Sequence, residues 1–153
     1  MKTSRKIKLA VLLLFIAMQF IRPARNLGSE VPANNFSNVH RVPNRVQSML
    51  ERACYDCHSN HTNYPWYSNI QPLGWWLERH IRKGKAEINF SEFGSYSHRR
   101  QISKLKNIEG SIEDGSMPLS SYRAIHKDAR LSDEDRSTLI GWLQKTRDSL
   151  SKQ

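Results

Sequence analysis

From residue 45 onward, apolar positions recur at helical spacing in four stretches and show no strict alternation of the kind that marks a half-buried strand. In the first stretch Val46, Met49, Leu50, Ala53, Cys54 and Cys57 fall at i, i+3, i+4, i+7, i+8 and i+11, with Asn44 as N-cap. Both cysteines are therefore expected on the apolar face of a helix. Pro72 suits the first turn of the second, where Leu73, Trp76, Leu77, His80 and Ile81 share a face and Gly84 offers a stop. The third runs from Ser97 to Asp114, with Ile102, Leu105, Ile108 and Ile112 inward and Gly115 as terminator. The fourth opens on Ser132, which forms an approximate capping box with Asp135, while Asp133 and Glu134 add negative charge to the first turn. Leu139, Leu143 and Leu150 line its buried face, widened by Ile140 or Trp142. The pattern predicts an all-α domain over residues 45–150. A domain of only ~110 residues has a thin core, which gains from a large apolar group at its centre.

The chain ahead of this domain reads differently. Lys2, Arg5, Lys6 and Lys8 precede a run from Leu9 to Ile21 that is apolar except for Gln19. This is the length of a signal h-region, below the ~18 residues expected of a membrane span. Phe20, Ile21, Arg22 and Pro23 follow in place of a small-x-small cleavage site, and there is no lipobox cysteine. Residues 1–21 are therefore expected to be an uncleaved signal anchor rather than a removed signal peptide. Four basic residues before the run against Arg22 and Arg25 after it predict a cytoplasmic N-terminus. The domain is then expected on the exported, periplasmic side of a bacterial cytoplasmic membrane. Residues 22–44, "RPARNLGSEVPANNFSNVHRVPN", are rich in Pro and Asn and lack a helical period. They are expected to form a flexible tether reaching ~25 Å on average.

Charge changes the picture little. The net charge is +10, from 24 Lys and Arg against 14 Asp and Glu, but six of the basic residues lie in 1–25, where there are no acids. The remainder is an ordinary, mildly basic surface, and no nucleic-acid partner is expected of an exported chain.

The candidate chemistry sits in "ACYDCHSNHTNYPWY", residues 53–67, which holds the two cysteines of the chain. A thioredoxin-like dithiol requires a strand leading into the motif, and none is predicted. A structural zinc site requires two more ligands at workable spacing, and His58 and His61 lie too close in sequence for good geometry. A disulfide across so short a loop stabilises little. Covalent haem attachment fits the pattern: Cys-x-x-Cys presents two sulfurs on one helical turn to the vinyl-derived arms of a porphyrin, and the adjacent His58 becomes the proximal iron ligand.

Five blocks, "CYDCHSN", "YPWYSNIQP", "NFSEF", "SMPLSSY" and "HKDARLS", follow one another as in the cytochrome c-like haem-binding domain family. The resemblance covers residues ~45–145. It implies a small cytochrome c-like helical domain around one covalent haem c. One departure is Phe93, where the family usually carries Trp, and this affects packing only.

The sixth iron position decides the type of function. Met117 is the expected distal ligand: it stands past the third helix in "GSMP", where Gly115 and Pro118 bend and stiffen the loop, and the final helix follows. That order resembles small class I cytochromes c. His80 is the alternative distal ligand, on the apolar face of the second helix. His126 ranks behind it; His61 lies too close to His58, and His40 and His98 read as surface. Tyr67, Trp76 and Leu77 are expected to pack on the haem, within an aromatic group that includes Tyr64, Trp66 and Trp75.

No cluster of acid, base and nucleophile stands out, so the expectation is an electron carrier rather than an enzyme. Its redox partner proteins are not written in the chain. A haem enzyme of peroxidase type or a gas sensor, with an open or labile sixth position, is the alternative. A third reading is an accessory haem module that docks to a larger enzyme.

Overall fold

The computed structural model describes residues 2–28 and 32–152. The chain is all-helical: α1 (Lys2–Met18), α2 (Phe36–Val39), α3 (Asn44–Ala53), α4 (Tyr55–His58), α5 (Leu73–Glu87), α6 (His98–Glu113), α7 (Ser120–Ile125) and α8 (Asp133–Leu150). Short 3₁₀ turns lie at Trp66–Asn69, Phe90–Ser95 and Lys127–Ala129. No strand forms among the described residues, and extended pairing is limited to an isolated bridge between Leu27 and His61.

The third and fourth predicted helices form as read. Gly115 follows α6 at φ 72°, a left-handed conformation that glycine adopts without steric cost. At the start of α8, Ser132 accepts a bond from the Asp135 amide and Asp135 accepts one from the Ser132 amide, closing the capping box. Leu105 and Ile112 of α6 are buried with Leu139, Leu143 and Leu150 of α8. An ion pair between Arg147 and the buried Glu109, at 2.6 Å, ties the two helices together. Arg52 of α3 reaches Asp135 at 2.8 Å, which fixes α3 against the start of α8.

The main core also takes in Val46, Met49 and Leu50 of α3 and the aromatic rings Phe36, Phe90 and Phe93. Phe36 packs edge-on against Phe90, Phe93 and Trp142 at centroid distances of 5.1, 4.7 and 5.6 Å. Phe93, the departure from the family pattern, is fully buried, so its effect falls on packing. A second, smaller cluster groups Tyr67, Leu77 and Ile81 with Cys57 and Tyr64.

Three expectations are revised. The segment read as a flexible tether is seated on the domain on both sides of residues 29–31: Phe36 is core, and Asn26 bonds the Ser59 carbonyl, Thr62 Oγ1, Lys85 Nζ and Tyr64 Oη. Residues 29–31 themselves lie outside the described part. Proline and asparagine content signals the loss of helical period, and here their polar groups bond to a folded surface. Second, Gly84 does not end a helix, because α5 continues to Glu87. A Cβ on Gly84 would stand 2.6 Å from the Cys57 carbonyl oxygen, so the glycine permits close approach of α5 to α4. Third, the first predicted helix breaks at Cys54 (φ −127°), which caps the end of α3 and the start of α4, so that only Cys57 lies within a helix. As for the apolar N-terminal run, α1 has 17 residues, and among the described residues no helix is long and apolar enough to cross a membrane.

Gly84→Ala is expected to destabilise the domain by about 1–3 kcal/mol, because a backbone carbonyl cannot give way to the added carbon. Gly110→Ala, with nothing within 4 Å of the new Cβ, should instead gain up to about 1 kcal/mol from helix propensity. Denaturant unfolding of both variants checks this; a Gly84→Ala domain as stable as the parent would contradict the packing described.

Candidate functional site

The Cys-x-x-Cys-His turn is built by a helix that stops and restarts. The Cys54 amide still bonds the Leu50 carbonyl at 2.9 Å, and the Cys54 carbonyl then accepts from the amides of Cys57 and His58 at 3.1 and 3.0 Å. The two sulfurs thus belong to one turn. Cys54 packs against the main core and Cys57 against the Tyr67–Leu77–Ile81 cluster. Both are free thiols, and burial pushes them up to about 12 at Cys54 and about 11 at Cys57, with added repulsion from Cys57 on the first and Asp56 on the second. Dithiol redox centres depend on a lowered thiol pKa, so this environment does not suit one.

His58 is held by the end of α5. Its Nδ1 lies 3.3 Å from the carbonyl oxygen of Ile88, the residue after α5. A carbonyl only accepts, so Nδ1 carries the proton and Nε2 keeps its lone pair. Burial lowers the His58 pKa, opposed by the Ile88 and Gly84 carbonyls, which keeps the ring neutral near pH 7. This is the tautomer and charge state of a metal-ligating imidazole oriented by a backbone acceptor.

Met117 lies in the loop between α6 and α7, half-buried, with its amide bonded to the Ser111 carbonyl at 2.9 Å and Pro118 buried beside it. The helix that follows is bonded to the cysteine turn. Tyr122 of α7 donates to Asp56 Oδ2 at 2.6 Å, and Asp56 lies between the two cysteines. His126 stacks on Tyr122 at 4.2 Å and 13°, and its Nε2 lies 3.0 Å from Tyr67 Oη. Burial, then the Asp56 carboxylate, raises the Tyr122 pKa, so the phenol stays protonated as the donor.

The predicted site residues are therefore brought together unevenly. Tyr67 and Leu77 join Cys57 in one cluster. Trp76 is 42 % exposed and its ring lies 4.3 Å from that of His80, tilted by 48°, and neither belongs to that cluster. His80 Nδ1 bonds its own helix at the Trp76 carbonyl, 2.8 Å away. His61 Nδ1 is engaged by the Gly28 carbonyl at 2.9 Å. His40, expected at the surface, packs on the rings of Phe36 and Phe93. Asp56 and Tyr122 were not singled out as site residues by the sequence, since no spacing rule links positions so far apart.

Among the described residues no three His, Cys, Asp or Glu side chains converge to hold a metal ion. A haem brings four nitrogen ligands of its own and asks the protein for one or two more. A neutral His58 beside two thiols on one turn is a donor set that fits it.

An all-helical domain with a half-buried, oriented histidine on a Cys-x-x-Cys-His turn is the class defined by fold and site. The haem-binding domain family model matches residues 13–145, and the chain belongs to that family. It is also similar to the cytochrome c peroxidase Ccp of Escherichia coli (strain K12), 27% identical over 126 residues. The match takes in 80% of this chain and 26% of that protein, so the chain spans about a quarter of its length. No solved structure matches the chain.

Tyr122→Phe keeps the ring and its stack but removes a hydrogen bond to a carboxylate, and is expected to cost about 1.5–3 kcal/mol. Hydrogen exchange should locate the loss in residues 114–126. A variant with unchanged stability and exchange would show that the Tyr122–Asp56 bond does not fasten α7.

Proposed function

We propose that the chain is an exported, membrane-tethered monohaem c-type cytochrome that passes single electrons. The observation that carries this reading is His58, half-buried, with its pKa lowered by burial and Nδ1 on the Ile88 carbonyl, an orientation in which Nε2 would bind iron. Haem, when bound, supplies a one-electron Fe(III)/Fe(II) couple. Cys54 and Cys57 would hold the porphyrin through thioethers and His58 would bind the iron from one side. Met117 would bind from the other. The bonding of α7 to Asp56 supports this role, because it fastens the chain five residues after Met117 to the turn that carries His58. Tyr67, Leu77 and Ile81 would exclude water near the Cys57 side. A thioether on the iron favours the reduced state and raises the potential. The apolar N-terminal segment would keep the domain at the outer face of the cytoplasmic membrane, close to redox partner proteins.

The similarity to a protein named as a cytochrome c peroxidase favours a second reading, a haem enzyme with an open or labile sixth position. A ligand-binding site of that kind would have His80 or another polar group above the iron.

The two readings separate in the absorption spectrum of the matured ferric protein. Methionine ligation predicts a weak far-red charge-transfer band that Met117→Ala abolishes, and slow or absent binding of CO to the reduced protein. A high-spin spectrum with rapid CO and cyanide binding would overturn the electron-carrier reading in favour of the enzyme.

A further inference from the structure

The junction between α1 and the domain is bonded at Gln19, Ile21, Arg25 and Asn26. Gln19 clamps the backbone of buried Gln71 from both sides, accepting from its amide at 2.8 Å and donating to its carbonyl at 3.1 Å. Trp75 Nε1 donates to the Ile21 carbonyl at 2.8 Å, and Arg25 donates to Asn69 at 2.5 Å. Asn26 then continues into the cysteine-turn region through Ser59, Thr62 and Tyr64. Rotation of the domain about a loose linker is therefore blocked between residues 19 and 28.

The edge that receives α1 is apolar and open to solvent. Phe20 is 83 % exposed, Ile21 64 %, Trp66 75 % and Leu73 47 %, and Ile70 and Trp76 are exposed as well. Four of these six lie in the segment 66–76 on which Gln19 and Ile21 are pinned. Two exposed arginines flank these side chains in sequence, Arg22 directly after Ile21 and Arg79 one turn beyond Trp76 on α5. All described side chains of α1 from Thr3 to Ala17 are exposed, and from Leu9 to Met18 the helix is apolar all round. A protein groove covers one stripe of a helix; an apolar circumference calls for a solvent that surrounds it.

We propose that this edge is a bilayer-docking surface. Phe20, Ile21, Trp66, Ile70, Leu73 and Trp76 sit at the boundary of headgroups and acyl chains, with α1 inserted and the arginines at the lipid phosphates. The proposal rests on the reading of the N-terminal segment as a membrane tether. It also answers the shortness of that segment. Leu9–Met18 rises only about 15 Å as a helix, half of a ~30 Å hydrocarbon core. Apolar side chains at its base, two of them tryptophans of the kind that settle at membrane interfaces, extend the buried length on the outer side. Lys6 and Lys8 reach back to the inner headgroups along their aliphatic stems. The domain is then held against the membrane in one orientation, not suspended above it.

The test uses the full, haem-loaded chain in phosphatidylglycerol–phosphatidylcholine vesicles containing a phospholipid with a diazirine near the glycerol end of an acyl chain. After photolysis, labelled residues are read by peptide mass spectrometry. Label on Trp66, Leu73 or Trp76 in addition to Phe20 and Ile21, with α8 unlabelled, is the expected result. In Trp66→Ser/Leu73→Ser, which changes only exposed side chains, label at Trp76 should fall to background while co-sedimentation persists through α1. Label confined to residues 3–21 would overturn the docking surface and leave the tether standing. Chain-to-chain cross-links from 66–76 would overturn it in favour of a second copy covering the edge. Absence of co-sedimentation would remove the tether and the docking surface together.

Discussion

At Gly84 the backbone of α5 passes so near α4 that any side chain would stand 2.6 Å from the Cys57 carbonyl. That approach sets the geometry of everything around the Cys-x-x-Cys-His turn. It brings the end of α5, with the Ile88 carbonyl, within reach of His58 Nδ1. It lays Leu77 and Ile81 against Cys57 and so creates the second apolar cluster. A carbonyl acceptor at this point fixes both the orientation and the tautomer of a histidine whose pKa is lowered by burial. One glycine therefore links the packing of two helices to the state of the nitrogen that a haem iron would meet.

The remaining architecture serves to close this region from outside. The main core, built on α3, α6, α8 and the ring of Phe36, supports one side of the turn, and Cys54 packs against it. The other side is closed by α7, through Tyr122 on Asp56 and His126 on Tyr67. The bond from Tyr122 ends on a carboxylate, which makes it stronger than a neutral one and local to the motif itself. Two separate apolar clusters, one against Cys54 and the other against Cys57, suit a thin helical domain organised around a large flat cofactor.

The sequence was most legible where a signal is local. The capping box at Ser132 and the left-handed Gly115 follow from a few adjacent residues, and both form. The Cys-x-x-Cys-His spacing at residues 54–58 is equally local, and the amides of Cys57 and His58 do close one turn on the Cys54 carbonyl. Long-range contacts were not. Gly84 has the same appearance in sequence as a helix stop, and only the neighbouring Cys57 carbonyl gives it another purpose. His80 and Trp76 share an apolar period with Leu77, yet the buried arc of α5 is narrower than that period and leaves them in contact with each other outside the cluster. An asparagine-rich loop has the composition of flexible chain, whereas Asn26 uses its whole side-chain amide, together with its own backbone, to bond four neighbours.

The central claim is that Cys54 and Cys57 hold a haem covalently over His58. The most direct measurement is the mass of the full chain after maturation in a host that makes c-type cytochromes, taken under denaturing conditions and after extraction with acidified organic solvent. The account predicts that haem stays with the polypeptide, in a ratio of one, and that a Cys54→Ala/Cys57→Ala chain releases all of it. Recovery of the bare chain mass, with haem in the solvent phase, would contradict it.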